Sequence, residues 1–210
     1  ALNTDDTFTQ AACVSSMLSD VDGFMEVLTQ TTFSEGEAPF LKWVMMTLKG
    51  IERIDALHAL AIQLSLTAEL EAWRLELISL ALPSEALIAS FPSIIEMALR
   101  KLNDHKASTP LRVAALEMLC AGGLIKVPED LTKFCRPEEP IEMQIAAVRM
   151  LSQHFPDKMP DWLLSAWPNL EPGLRREVLQ SLTSRSALAR TVVGQLSARP
   201  IPDLVRALSQ

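Results

Sequence analysis

Residues 111–116 read Leu-Arg-Val-Ala-Ala-Leu, and the pattern recurs as Met-Gln-Ile-Ala-Ala-Val at residues 143–148 and as Leu-Arg-Arg-Glu-Val-Leu at residues 174–179. The copies are 32 and 31 residues apart, and a proline stands shortly before each one. Such a period, with one helix-opening proline per copy, is typical of stacked α-helical hairpins, because a single hairpin cannot bury its apolar face alone. The pattern therefore predicts an all-α protein.

Extending the period along the chain predicts about six hairpins, which stack into one right-handed α-α superhelix over residues 1–210. The first helices are predicted to start near residues 7, 38, 69, 110, 141, 172 and 202, so that the last repeat is truncated at residues 200–210. The second helices are predicted at residues 24–28, 54–66, 85–102, 128–134, 160–166 and 187–196. Asp22-Gly23 is expected to interrupt helical structure before the helix at residues 24–28. Pro92 is expected to kink or split the helix at residues 85–102. Because the chain begins with Ala1 and has no initiator Met, we interpret it as a piece of a longer protein.

Composition narrows the possible functions. The formal net charge is −7 and the isoelectric point is about 5.0, which disfavours general binding to nucleic acid. No apolar run approaches the roughly 18–20 residues that a membrane-spanning helix needs, so direct membrane insertion is not expected.

Sequence motifs of common active sites are missing. No CxxCH motif for covalent haem, no CxxC pair and no HExxH motif occurs, and the three histidines lie about 50 residues apart. The three cysteines, Cys13, Cys120 and Cys135, are interpreted as inert buried thiols, although Lys133 and Arg136 leave a more acidic thiol open for Cys135. We predict no catalytic, cofactor-binding or metal site in these 210 residues.

A glycine pair and a recurring arginine have structural interpretations. Gly122-Gly123 lacks the Lys-Ser/Thr pair of a phosphate-binding loop, so it is predicted to form the turn between two helices. Arg112 and Arg175 occupy the same position in their repeats, and hydrogen bonding within or between repeats is favoured over a role in ligand binding.

The Pro-x-Leu-Arg-x-x-Ala-Leu openings resemble HEAT-type, or armadillo-like, repeats over nearly the whole chain. Residues 171–185, followed by Arg199-Pro200-Ile201-Pro202, are similar to the repeat region of large bacterial proteins that join a membrane-bound-dehydrogenase-like propeller to a cytochrome c module. Val178 stands where that family has Ala, and the tryptophan that follows Ser-Arg in the family is absent. The resemblance implies that haem and the dehydrogenase cofactor belong to flanking domains, and that the protein is periplasmic or associated with the envelope.

We therefore predict a non-catalytic, monomeric scaffold or connector whose partner is another protein or a flanking domain. In HEAT-type hairpins the second helices line the concave side, and the candidate partner-binding residues there are Arg53, Asp55, His58, Glu129, Lys133, Trp162, Arg185 and Arg190.

Two alternatives stay open. Asp161-Trp162 resembles the aspartate and aromatic residue with which helical-repeat DNA glycosylases hold a damaged base, so a glycosylase-like or lyase-like enzyme is the alternative function. The other alternative is a spacer without a ligand of its own, which would need no exposed apolar patch.

Overall fold

A computed structural model describes residues 15, 17–66, 70–82, 88–89, 92–183, 186–198 and 201–208. All regular secondary structure within these residues is helical, which confirms the predicted all-α class. The chain forms two compact units, residues 1–124 and residues 125–210.

In the N-terminal unit, contacts join helices that are consecutive in the chain and also helices that are two apart in chain order. A short 3-10 turn, Glu35–Glu37, directly precedes the helix that begins at Ala38. The α-helices are α1 (Val21–Thr29), α2 (Ala38–Gly50), α3 (Ile54–Ser65), α4 (Ala72–Leu80), α5 (Pro92–Asn103) and α6 (Thr109–Ala121). Helix α2 packs on α4 and α4 on α6, while α1 packs on α3. Helices α2, α4 and α6, the first helices of successive hairpins, thus form consecutive contacts. The second helices α1 and α3 also contact each other.

The C-terminal unit repeats this arrangement. Its α-helices are α7 (Glu129–Thr132), α8 (Ile141–His154), α9 (Met159–Ala166), α10 (Pro172–Thr183), α11 (Ser186–Ala198) and α12 (Pro202–Leu208). The 3-10 turns Lys133–Cys135 and Trp167–Asn169 extend α7 and α9. Helix α8 packs on α10, and α9 packs on α11.

Prolines set several helix starts as predicted. Pro39, Pro110 and Pro160 lie in the first turns of α2, α6 and α9, where a missing N–H leaves no hydrogen bond unmade. Helix α5 begins at Pro92. Residues 90–91, where the predicted kink or split would show, lie outside the described residues. The predicted start of that helix at residue 85, and that of the first helix at residues 6–7, lie outside the described residues.

The predicted interruption at Asp22-Gly23 is wrong. Both residues lie inside α1, which begins at Val21 because the Asp20 carboxylate accepts a hydrogen bond of 2.9 Å from the Gly23 N–H. This N-terminal cap satisfies one of the backbone donors that a helix start leaves free. The predicted turn at Gly122-Gly123 is confirmed, and Gly123 adopts a positive φ of 63°, which glycine tolerates without strain.

The repeated Ala-Ala pairs lie in the cores of the two units. Ala114 and Ala115 of α6 are buried, and so are Ala146 and Ala147 of α8. Small side chains at these positions allow the helices to approach closely. The remaining pair, Ala11-Ala12, lies outside the described residues.

Enlarging one of these alanines tests how tightly the repeats pack. Because Ala147 is fully buried, we expect Ala147→Leu to lower the free energy of unfolding by about 1–3 kcal/mol through overpacking. Gln153→Leu, at an exposed position of the same helix, is the control and should change stability by less than about 0.5 kcal/mol. Urea unfolding followed by circular dichroism measures both. Equal effects of the two substitutions would contradict close packing at Ala147.

Candidate functional site

An open groove in the C-terminal unit is the candidate functional site. Its volume is about 330 Å³. One wall is formed by Pro128, Glu129 and Thr132, at and within α7, and the other by Lys158, Asp161, Trp162 and Ser165, at and within α9. We call it the α7–α9 groove. Two of the predicted partner-binding residues, Glu129 and Trp162, therefore line one surface.

The local sequence explains why α9 turns these side chains into the groove. Residues four apart in a helix lie on the same side. Lys158 and Trp162 are such a pair, Asp161 and Ser165 are another, and all four line one wall of the groove. Met159 and Leu163 point the other way and are fully buried. The amphipathic spacing of α9 thus fixes its inner side in the core and leaves Trp162 half-buried at the groove.

The groove is polar and of mixed charge, with an aromatic side chain at one wall. Glu129 and Asp161 contribute carboxylates, and Lys158 contributes an ammonium group. The two hydroxyl groups are bonded within their own helices, because Ser165 Oγ donates to the Trp162 carbonyl at 2.7 Å and Thr132 Oγ1 donates to the Glu129 carbonyl at 3.3 Å. Trp162 combines a large apolar ring with an indole N–H donor, a combination common in protein-binding surfaces.

The other predicted residues of this unit do not line the groove. Lys133 lies one residue past α7, where its Nζ is 3.9 Å from Asp130 Oδ1 and 5.0 Å from the centroid of the Phe134 ring. Arg190 is exposed on α11. Arg185 lies outside the described residues.

Arg53, Asp55 and His58 belong to the N-terminal unit, at the start of α3. Arg53 Nη2 donates to Asp22 Oδ1 at 2.6 Å and to Asp55 Oδ2 at 3.0 Å, and Nε donates to Asp55 Oδ1 at 3.1 Å. The guanidinium group therefore links the start of α3 to α1. His58 is half-buried, and its Nε2 atom is buried without a hydrogen-bond partner among the described residues.

The Arg53 contacts predict a pH dependence. Hydrogen bonds from Arg53, and then one from the Ala56 N–H, lower the pKa of Asp55 to about 2. Because this folded pKa lies below the unfolded value of about 3.9, the ionised carboxylate stabilises the fold above about pH 4, and the contribution is lost as pH falls toward 2.

We therefore expect Asp55→Asn to lower the free energy of unfolding at pH 7, and the difference from wild type to shrink below about pH 4. Urea unfolding between pH 7 and pH 3 measures this difference. In an Arg53→Gln background, the same substitution should have a smaller effect at pH 7, because only the hydrogen bond from the Ala56 N–H remains. A difference that is independent of pH would contradict the link to Arg53.

Arg112 has the structural role favoured from the sequence, and Arg74 of α4, which the sequence analysis did not single out, makes an equivalent contact. Arg74 Nη1 donates to the Leu64 carbonyl at 3.3 Å, and Arg112 Nε donates to the Leu102 carbonyl at 3.1 Å. Each carbonyl lies ten residues earlier, near the C-terminal end of the preceding second helix, where backbone acceptors lack helical partners. Arg175 departs from this pattern, because its Nη2 donates at 3.2 Å to the Pro168 carbonyl, seven residues earlier in the 3-10 turn that follows α9.

Cys120 and Cys135 are buried, as the sequence favoured. Burial raises the pKa of both Cys120 and Cys135 to about 12. The alternative that Cys135 is a more acidic thiol is therefore wrong. The Cys135 Sγ donates to the Leu131 carbonyl at 3.8 Å. The neighbouring Lys133 and Arg136 do not offset the cost of burying a thiolate. Cys13 lies outside the described residues.

The described part of the chain contains neither a metal-binding cluster nor a membrane-spanning helix. No group of three or more His, Cys, Asp or Glu side chains there is placed to hold a metal ion. No helix there has both the length and the apolar character that crossing a bilayer requires.

Comparisons with known protein families, with curated proteins and with solved structures found no significant match. The resemblance to HEAT-type repeats therefore rests on the sequence pattern alone.

Proposed function

We propose that this chain is a HEAT-type α-α superhelix that binds a protein partner and does not itself catalyse a reaction. Three observations support the architecture: the repeated sequence pattern, the packing of first helices on first helices, and the packing of second helices on second helices within each unit. The recurring bonds from Arg74 and Arg112 to carbonyls ten residues earlier also follow the repeat.

The observation that carries the proposed function is the α7–α9 groove. It lies between consecutive second helices, where HEAT-type proteins bind their partners, and it presents Trp162 between charged groups of both signs. An aromatic side chain in a groove can anchor a partner segment, while surrounding charges select its register. An extended peptide with an apolar side chain and a basic group suits the two carboxylates and the ring.

Peptide selection on the intact chain tests this function. We expect a random peptide library to yield sequences that bind the wild-type chain, and Trp162→Ala to weaken that binding by at least about tenfold, because a central aromatic anchor contributes about 2 kcal/mol or more. Isothermal titration calorimetry measures the affinities. Gln153→Ala, at an exposed position of α8 outside the groove, is the control. Peptides that bind Trp162→Ala as tightly as wild type would contradict this site.

A second candidate function shares the same groove. Asp161 and Trp162 both line it, as a glycosylase-like or lyase-like enzyme would need. Such an enzyme is expected to bind duplex DNA that carries an alkylated base, and to release the base in a reaction that Asp161→Asn abolishes. Neither binding nor release is expected from the scaffold, since the lining residues include one cation against two carboxylates.

The resemblance to propeller–repeat–cytochrome proteins extends the proposal to a flanking partner. On that basis the chain connects domains of a larger redox protein, and the haem and dehydrogenase cofactor belong to those domains. Titrating an isotope-labelled chain with a separately produced propeller or cytochrome module should then shift its amide resonances at high micromolar concentration. No shift with either module would contradict the connector role.

A further inference from the structure

Helix α3, a second helix of the N-terminal unit, exposes an apolar row that neither the groove nor the proposed function uses. Ile54, His58, Ile62 and Leu66 follow one another at intervals of four residues, so they lie along one side of α3 and its C-terminal cap. The exposed fractions of Ile54, Ile62 and Leu66 are 45%, 39% and 71%. This exposed row of α3 is therefore largely apolar.

The opposite side of α3 already forms the core. Leu57, Leu60, Ala61 and Leu64 are buried there. A surface helix normally carries polar residues on its outer side, and one that is apolar on both sides is typical of a helix covered by another element. Exposed apolar residues grouped in this way mark interaction surfaces, whereas single ones do not.

Helix α1 lies beside α3. Its start is joined to the start of α3 by the Arg53–Asp22 ion pair at 2.6 Å, and Gln63 Nε2 donates to the Thr31 carbonyl at 3.4 Å beyond the other end of α1. The two helices therefore run side by side in the same direction. We call Ile54, Ile62 and Leu66 the apolar row.

The charges around the apolar row have one predominant sign. Residues 20–31 and 51–66 contain five carboxylates and one permanent cation, Arg53, which already pairs with two of them. The five carboxylates are Asp20, Asp22, Glu26, Glu52 and Asp55. This excess of negative charge repels nucleic acid and anionic lipid headgroups, and it attracts a cationic partner.

From these observations we propose that α1 and α3 bind an amphipathic helix of a partner protein that carries lysine or arginine beside its apolar side. Its apolar side packs on the apolar row, and its basic residues face the carboxylates at the rim. This surface is separate in sequence from the α7–α9 groove, and the proposal does not depend on what that groove binds.

A model peptide tests the proposal on the intact chain. The probe is a dye-labelled amphipathic peptide of about 14 residues composed of leucine and lysine, and the control probe has glutamate in place of each lysine. We expect fluorescence anisotropy to show saturable binding of the lysine peptide, weakened by added salt, and no saturable binding of the glutamate peptide. Equal binding of both probes, or of neither, would overturn the proposal.

Variants locate the binding site. We expect Ile62→Ser to weaken binding of the lysine peptide by about tenfold or more, whereas Met46→Ser, at an exposed apolar position of α2, should leave it within about twofold. Thermal unfolding checks that both variants fold. Unchanged affinity of folded Ile62→Ser would overturn the proposal. So would a dimer of the wild-type chain in sedimentation that Ile62→Ser dissociates, because a second copy would then be the occupant of the apolar row.

Discussion

Replacing Arg112 with alanine is expected to lower the free energy of unfolding by about 3 kcal/mol. The side chain is only 2% exposed, and its Nε donates a hydrogen bond of 3.1 Å to the Leu102 carbonyl near the end of α5. Alanine would leave that carbonyl without this donor, since the last carbonyls of a helix have no partner within it. It would also remove the packing of the three-carbon stem of the arginine.

Arg100→Ala is the matched control, because Arg100 is exposed in the last turn of α5. Its effect is expected to stay within about 0.5 kcal/mol. Urea unfolding of wild type and both variants gives the comparison. A loss for Arg112→Ala no larger than that for Arg100→Ala would show that the recurring arginine does not stabilise the junction between repeats.

Replacing Trp167 with alanine is expected to lower the free energy of unfolding by about 3–5 kcal/mol. The indole is 2% exposed, in the 3-10 turn that follows α9. The Arg175 guanidinium carbon lies 5.4 Å from the ring centroid, and Arg175 also bonds to the Pro168 carbonyl. The substitution therefore opens a large cavity and removes a cation–π contact at the start of α10.

Trp162→Ala is the control for this prediction, because Trp162 is half-buried at the groove. We expect it to cost about 1 kcal/mol of stability while it weakens partner binding, whereas Trp167→Ala acts on stability. Thermal and urea unfolding of the two variants measure the difference. Equal destabilisation would contradict the separate roles of the two tryptophans.

Local signals predicted much of the fold. The periodicity of residues 141–154 gave the bounds of α8, and prolines gave the starts of α2, α6 and α10, because helix periodicity and proline geometry act within one or two turns. Asp22-Gly23 was misjudged for a related reason. The side-chain cap from Asp20 outweighs the low helix propensity of a single glycine, and propensity alone does not reveal such a cap.

The candidate site was predicted less completely. The positions of Trp162 and Glu129 on second helices predict that both contribute to partner binding, and both line the groove. Lys158 was missed, although its spacing of four residues from Trp162 is a signal that places both on one side of α9. The pairing of Arg53 with Asp22 joins residues 31 apart in sequence, so the sequence did not reveal that Arg53 links two helices.

The most direct test of the central claim is to titrate the isotope-labelled chain with the tightest-binding library peptide and follow its amide and indole resonances. The account predicts that the largest shifts fall on residues 128–132 and 158–165, with the Trp162 indole N–H among them. Shifts confined to residues outside the α7–α9 groove, or a peptide that binds without shifting Trp162, would contradict it.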